Sequence, residues 1–296
     1  MYYVAAMEDG TPVRLTEDYF IEAKAERPPE VKISRPGRDA KVSPIEEVTV
    51  ELDSSDDFGL ADMELRYSVN GGEEKTVPML RQKGAKDAHG TTTISLEDFK
   101  LAPGDVVGIY AVARDAKTTT QTDIFFLEAQ PFEKEYQQSQ TAGGGGGGGG
   151  GEDQQGEIAQ RQKEIIAATW NQIKNGGSKT QSQENAQFLS GVQQKLSDQA
   201  KSLAQRMRSR ELAGTSEEFQ KFSKEMDLAS AAMNEATGQL KSQKWKDSLS
   251  PEQKALQHLL RAESMFRQDP GRLRPARRRW RGRRRPDARP REPLRP

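Results

Sequence analysis

Met63-Glu64-Leu65-Arg66-Tyr67-Ser68-Val69 alternates apolar and polar residues at period two, and Asn70-Gly71-Gly72 follows with residues that accept the positive φ of a tight hairpin. Lys75-Thr76-Val77-Pro78-Met79-Leu80 is the returning strand. Working outward, Glu47-Val48-Thr49-Val50-Glu51-Leu52 repeats the alternation and Val31-Lys32-Ile33 precedes it. Thr92 to Leu96, Val106 to Ala113 and Asp123 to Ala129 follow, the middle one entered through a Pro103-Gly104-Asp105 turn. That makes about seven short strands in roughly 100 residues, with no room for a crossover helix between them. It predicts an immunoglobulin-like antiparallel β-sandwich over residues 31–132.

Composition limits what surrounds that module. The chain has 296 residues, is 33% hydrophobic, and is interrupted by nine consecutive glycines from Gly143 to Gly151, so two modest cores are the ceiling. The stretch 133–156 reads as a disordered poly-glycine linker; its glycine run, inside a polar stretch from Gln137 to Gly156, is expected to be a flexible coil of roughly 25 Å reach that uncouples the halves. The absence of cysteine excludes disulfide frameworks, thiolate zinc sites and cysteine nucleophiles, and leaves His89 and His258 as the chain's imidazoles. His89, in a Lys-Gly-Ala-Lys-Asp-Ala-His-Gly stretch, reads as a solvated loop residue, and His258 as a surface or rim residue. No stretch approaches the eighteen or so apolar residues of a bilayer span, and Met1-Tyr2-Tyr3-Val4 has no basic or apolar signal region.

Beyond the linker the periodicity becomes helical. Phe219, Phe222, Met226, Ala229, Met233, Ala236 and Leu240 alternate by three and four and form one apolar stripe. Leu189, Val192, Leu196, Leu203 and Met207 form a second, Ile158, Ile165, Thr169 and Ile173 a weaker first. A fourth helix is expected to start at Ser250-Pro251-Glu252, with Ser250 as N-cap and Pro251 at the first helical position, carrying Ala255, Leu259, Ala262 and Phe266. Residues 157–266 are thus expected to be a helical bundle or coiled-coil-like region. With Ala and Met in the seam, its stripe Phe219, Phe222, Met226, Met233 and Leu240 is the candidate partner-binding element, for a protein partner or self-association.

Both ends carry signatures of their own. Tyr2-Tyr3-Val4-Ala5 running to Tyr19-Phe20-Ile21-Glu22-Ala23 looks like Tyr110-Ala111-Val112-Ala113 running to Phe125-Phe126-Leu127-Glu128-Ala129, at offsets of 108 and 106 residues. Such a spacing is the size of a tandem sandwich repeat, so residues 1–30 are expected to be the remnant hairpin of a preceding β module. Residues 267–296 hold thirteen arginines and no lysine against Asp269, Asp287 and Glu292, a net of +10 in a chain of net zero. Arg277-Arg278-Arg279-Trp280-Arg281-Gly282-Arg283-Arg284-Arg285 uses only residues with a codon ending in GG, as a glycine-coding stretch read out of phase would. The competing reading is a disordered Arg/Pro-rich arm that binds nucleic acid or another anionic polymer by counterion release.

No motif supplies a reaction. Asp57-Phe58-Gly59 lacks the phosphate loop, strand lysine and catalytic loop of a kinase, and Gly151-Glu152-Asp153 lacks the Gly-Lys-Ser/Thr of a nucleotide-binding loop. Asp53, Asp56, Asp57 and Asp115 are hard oxygen ligands that loops at one end of a sandwich could gather round calcium; the plainer reading is that they build turns by accepting local backbone N–H groups. Tyr67, Tyr110, Phe125 and Phe126 could form a carbohydrate platform and fit better as core. No catalytic residue and no cofactor is assigned, and small-molecule partners stay open.

Asp56-Asp57-Phe58-Gly59-Leu60, Glu64-Leu65-Arg66-Tyr67, Asn70-Gly71-Gly72, Pro103-Gly104-Asp105-Val106-Val107 with Ala113-Arg114-Asp115, Asp123-Ile124-Phe125-Phe126, Pro131-Phe132-Glu133-Lys134-Glu135-Tyr136, Arg161-Gln162-Lys163-Glu164-Ile165-Ile166 and Pro251-Glu252-Gln253-Lys254-Ala255-Leu256 running into Leu259-Leu260-Arg261-Ala262-Glu263 together resemble a bacterial membrane-protein family, domain-of-unknown-function family 4175. The resemblance covers most of residues 1–266 and implies a membrane-anchored parent with transmembrane helices upstream, β modules, then helices and a glycine-rich tail. It departs in lacking a membrane segment and in its Arg-rich end. What it implies for function is a non-catalytic structural or interaction part of a bacterial cell-envelope protein, soluble and periplasmic, with the β module as spacer and the helices meeting a partner.

Overall fold

The computed structural model describes residues 1–130, 152–211 and 217–268. The poly-glycine run and the arginine-rich tail from residue 269 therefore lie outside the described residues. Among the described residues eleven strands precede four α-helices: β1 (Ala5–Glu8), β2 (Thr11–Arg14), β3 (Glu30–Arg35), β4 (Ala40–Val42), β5 (Glu47–Ser55), β6 (Asp62–Val69), β7 (Glu74–Pro78), β8 (Asp87–Ser95), β9 (Val106–Arg114), β10 (Thr119–Gln121) and β11 (Phe125–Ala129), then α1 (Glu152–Asn175), α2 (Lys179–Glu211), α3 (Glu217–Lys241) and α4 (Trp245–Gln268).

Strands β3 to β11 form two sheets around one core. The larger has the order β4-β11-β9-β6-β7, with β10 also on β9, and the smaller is β3-β5-β8. The period-two reading of residues 47–52 holds: Val48, Val50 and Leu52 point inward from β5 and meet Leu65, Ile109 and Leu127 from the opposite sheet. Asn70 and Gly71 take positive φ at the β6–β7 turn, as the hairpin requires.

Several expectations are corrected. The pairing is mixed rather than wholly antiparallel, because β4 runs parallel to β11, with Leu127 opposite Ala40. Strands β4 and β10, three residues each, are too short to show a period. Strand β8 begins at Asp87 rather than near Thr92, so His89 is a strand residue opposite Asp53 and not a loop residue. Gly90 hides that extension in the sequence, and its lack of a side chain is what lets Met79 and Met63 pack there. The fourth helix starts at Trp245, placing Pro251 inside it. Burial of Ser248 and Leu249 carries the helix back past the proline, and Ser250 is not a cap: its hydroxyl donates to the carbonyl of Gly71, 2.5 Å away.

The larger correction concerns the two halves, expected to be uncoupled. Every residue from Val106 to Ala113 is buried, because β9 is covered on both faces. Val107, Ile109 and Ala111 face the core between the sheets, while Val106, Tyr110 and Val112, with Ile124 and Phe126, join a second core made of helix residues. That core takes Ile165, Ile166 and Trp170 from α1, Leu196, Leu203 and Met207 from α2, Phe222, Met226 and Met233 from α3, and Leu256, Leu259 and Leu260 from α4. Fully burying one such side chain is worth about 1.5–3 kcal/mol, so a glycine spacer, which only sets the reach between two surfaces, does not keep them apart.

Candidate functional site

A closely fitted seam forms where α4 lies against the turns of the larger sheet. Two glycines make the approach possible. Gly104, at φ 92°, lies where a Cβ would stand 2.5 Å from the backbone of Arg261, and Gly71, at φ 67°, where one would stand 2.5 Å from the carbonyl oxygen of Ser250. Both turns thus combine a left-handed backbone with a contact that leaves no room for a side chain.

Asp105 follows Gly104 and is buried, 4% exposed. Its Oδ1 accepts from Nε of Arg261 (2.9 Å), from the other end of that guanidinium (2.7 Å) and from Nε2 of Gln257 (2.9 Å), and its Oδ2 accepts from the backbone N–H of Ala102 (2.8 Å). A carboxylate at this depth is tolerable because it is paired and hydrogen-bonded on both oxygens. On α4, Gln253 accepts from the hydroxyl of Ser68 at 3.1 Å. From α1, Nε1 of Trp170 donates to the carbonyl of Thr122 at 2.8 Å while its ring meets Tyr110 edge-on, centroids 4.5 Å apart. Lys163 bonds Glu128 and, at 3.2 Å, Asp39; Lys174 bonds Asp123 at 2.7 Å.

Beside the seam lies a cleft of about 250 Å³ whose lining includes Arg66, Glu74, Tyr110, Trp170 and Gln253. Tyr110 donates to Glu74 at 2.5 Å, and Arg66 pairs with Glu64 and with Glu74. Burial, reinforced by the Glu74 carboxylate, drives the Tyr110 hydroxyl well above its usual range. Burial opposes the charge on Arg66, and Glu64 outweighs it, so the guanidinium is held charged more firmly than usual. In this network each ionised group is tied to a partner, and the bonds join three neighbouring strands of the larger sheet, β7, β6 and β9.

A second polar set lies inside the helical layer. Glu252 is buried, with Oε1 accepting from Thr169 at 2.9 Å, and its backbone carbonyl accepts from Gln162, which also pairs with Gln193 at 2.8 Å. Burial raises the Glu252 carboxyl well above the usual range, and the bonds from Thr169 and Ser248 offset this only in part.

The four aspartates considered for calcium do not come together. Asp53 lies on the outer face of β5, where its carboxylate takes Nδ1 of His89 at 2.8 Å and Lys32 at 3.7 Å; the His89 bond holds it below the usual range. His89 Nε2 is 3.2 Å from the Thr91 hydroxyl, so Lys32, Asp53, His89 and Thr91 form a polar row across three strands, against a shallow depression of about 510 Å³. Asp56 accepts from the N–H groups of Phe58 (2.9 Å) and Gly59 (2.5 Å). Asp115 accepts from Thr118 and Lys117, and those backbone bonds, Thr118 first, lower its pKa. Asp57 is exposed. Asp56 and Asp115 therefore do the turn-building that the plainer reading assigns them. Among the described residues no three acidic or histidine side chains come together as a metal site.

Of the stripe considered for a partner, Phe222, Met226, Met233 and Leu240 are buried within the helical layer. Phe219 belongs to α3, but its side chain lies outside the described residues. Tyr110 and Phe126 are buried, and Tyr67 and Phe125 pack against the inter-sheet core, so these aromatics form no platform. His258 is partly buried, its Nδ1 2.7 Å from Glu225. Sequence reading missed Asp105, Gln257 and Arg261. A signal was present: Val106 to Ala113 has no polar alternation, which marks a strand covered on both sides.

No family model matches the chain. No curated protein matches it either. A solved structure described as "Crystal structure of Br derivative BhCBM56" aligns over 27% of this chain and 78% of its own length at 15% identity, with a TM-score of 0.19. A likeness that slight carries no argument about this fold or its use. No helix among the described residues is long and apolar enough to cross a membrane.

Proposed function

We propose that this chain is a non-catalytic structural and interaction part of a bacterial cell-envelope protein whose parent is anchored in the membrane. In this reading an immunoglobulin-like sandwich serves as a spacer, and the helical layer fixed on it presents a surface to a protein partner. The observation that carries the reading is the seam: Gly71, Gly104 and Asp105 on the sheet and Ser250, Gln257 and Arg261 on α4 are fitted to each other, and their polar atoms are spent on holding two layers in one orientation. A spacer that must present a surface at a fixed angle needs such a joint.

The stripe on α3 is used within the chain, so the outer surface of α2 and α3 is what meets the partner in this proposal. Phe188 on α2 is 68% exposed and Leu228 on α3 39% exposed. Arginine-driven nucleic-acid binding, the alternative, rests on the tail alone. The test is photo-crosslinking in the source cells from a probe at Phe188 or Leu228 of the full-length protein. A discrete protein adduct in the envelope fraction from these positions supports the reading; adducts to nucleic acid, or none from either position, contradict it.

A further inference from the structure

Residues 2–23 hold apolar side chains that meet neither core. Tyr2, Tyr3, Val4, Leu15, Tyr19, Phe20 and Ile21 are exposed, Phe20 at 80% and Ile21 at 76%, on a two-stranded ribbon, which is marginal by itself in water. The ribbon has a twin in the β module. Thr16 Oγ1 accepts from the N–H of Val4 at 3.0 Å and donates to the carbonyl of Glu17 at 3.1 Å. Thr122 Oγ1 accepts from the N–H of Ala111 at 3.0 Å and donates to the carbonyl of Asp123 at 2.8 Å. Tyr2 pairs with Tyr19 as Ile109 pairs with Phe125, and Ala5 with Arg14 as Val112 with Gln121.

Geometry therefore matches the first strand at an offset of 107 rather than the 108 of the sequence comparison, which puts Tyr3 on Tyr110. Thr16 to Ala23 match Thr122 to Ala129 at 106, with Leu15 as one extra residue just after β2. The match also sorts the faces. Tyr2, Val4, Tyr19 and Ile21 correspond to Ile109, Ala111, Phe125 and Leu127, all of which pack in the core between the sheets. Tyr3 and Phe20 correspond to Tyr110 and Phe126, which the helices cover. At these four inward positions each side chain is apolar in both hairpins, while on the other face Asp18 replaces Ile124 and Arg14, stacked 4.8 Å over the Tyr3 ring, replaces Gln121.

We infer that residues 2–23 are the closing hairpin of a second module built like residues 30–129, and that the face holding Tyr2, Val4, Tyr19 and Ile21 is an interface for the other strands of that module, entering at Tyr2 as Val106 to Gly108 enter Ile109. Because Asp18 and Arg14 make the opposite face partly polar, no helical layer is required on that module.

The test uses two fusions to the full chain. In one, a copy of residues 30–108 runs directly into Tyr2, so that residues 2–23 must close it. In the other, a copy of residues 30–129, which brings its own hairpin, is joined at the same place. Hydrogen exchange should show the amides of Tyr2, Val4, Leu15 and Tyr19 slowed about a hundredfold or more in the first fusion and unchanged in the second. Thr16→Val should reduce that protection in the first fusion while leaving residues 30–129 of the original module untouched. Any other pattern, including no protection of residues 2–23 in either fusion, overturns the inference.

Discussion

Arg261 on the last helix reaches Asp105, 156 residues away in sequence, with a guanidinium nitrogen 2.7 Å from the carboxylate across the junction of sheet and helices. Asp105 is the more deeply buried partner, so removing either group does not have the same cost. Asp105→Ala leaves Arg261, Gln257 and the Ala102 N–H without their acceptor and should destabilise the chain by about 3–5 kcal/mol in denaturant unfolding. Arg261→Ala acts at a side chain that is a third exposed and should cost about 1–3 kcal/mol. The double variant should cost less than the sum, and strict additivity would contradict direct coupling.

Gly104→Ala and Gly71→Ala test the fit of the same junction from the backbone. Each places a Cβ against α4 backbone from a left-handed conformation. We expect about 2–4 kcal/mol of destabilisation from either. The helices should then unfold ahead of the sheets, visible as circular-dichroism and exchange transitions that separate. Wild-type-like stability of Gly104→Ala would show that the helix is not tightly seated.

Glu252 gives a pH dependence with a definite sign. Its folded pKa lies well above the ordinary 4.5, so above pH 4.5 the folded chain holds a proton that the unfolded chain has lost. Stability from this group is therefore full at and below that pH and is lost as pH rises toward the folded pKa. Glu252→Gln keeps the shape without the charge and should flatten that part of the profile, leaving the variant more stable than the parent at neutral pH. Equal slopes for the two proteins would refute a buried neutral Glu252.

Met226→Ala should cost about 2–5 kcal/mol, because Met226 is fully buried among the helices and the substitution opens a cavity. Phe188→Ala, at an exposed position, should change stability by no more than about 0.5 kcal/mol while abolishing the crosslink expected from a probe at Leu228 on α3. A near-neutral Met226→Ala would return the α3 stripe to the role of an external docking face.

How far these features could be read from sequence depends on range. The period-two strands Glu47 to Leu52 and Met63 to Val69, the Asn70-Gly71 turn and the helical stripes are local patterns, and each is found where its pattern places it. Ser250-Pro251 has every local mark of a helix start, yet α4 begins at Trp245, because packing of Ser248 and Leu249 outweighs one missing N–H. Asp105 reads as an ordinary turn residue after Pro103-Gly104; nothing within 150 residues says that Gln257 and Arg261 bond it. The union of the halves was legible only indirectly, in a strand from Val106 to Ala113 too uniformly apolar to have a wet face.

The most direct test of that union is to follow unfolding of the full chain with two probes, in a background where Trp245 and Trp280 are replaced by phenylalanine. Fluorescence then reports Trp170, wedged against Tyr110 at the junction, and far-ultraviolet circular dichroism reports the helices. If sheet and helices form one body, the two transitions coincide in a single cooperative step. Loss of the Trp170 signal at a denaturant concentration where helix content is untouched would mean that the layers part while each stays folded, and would contradict the account.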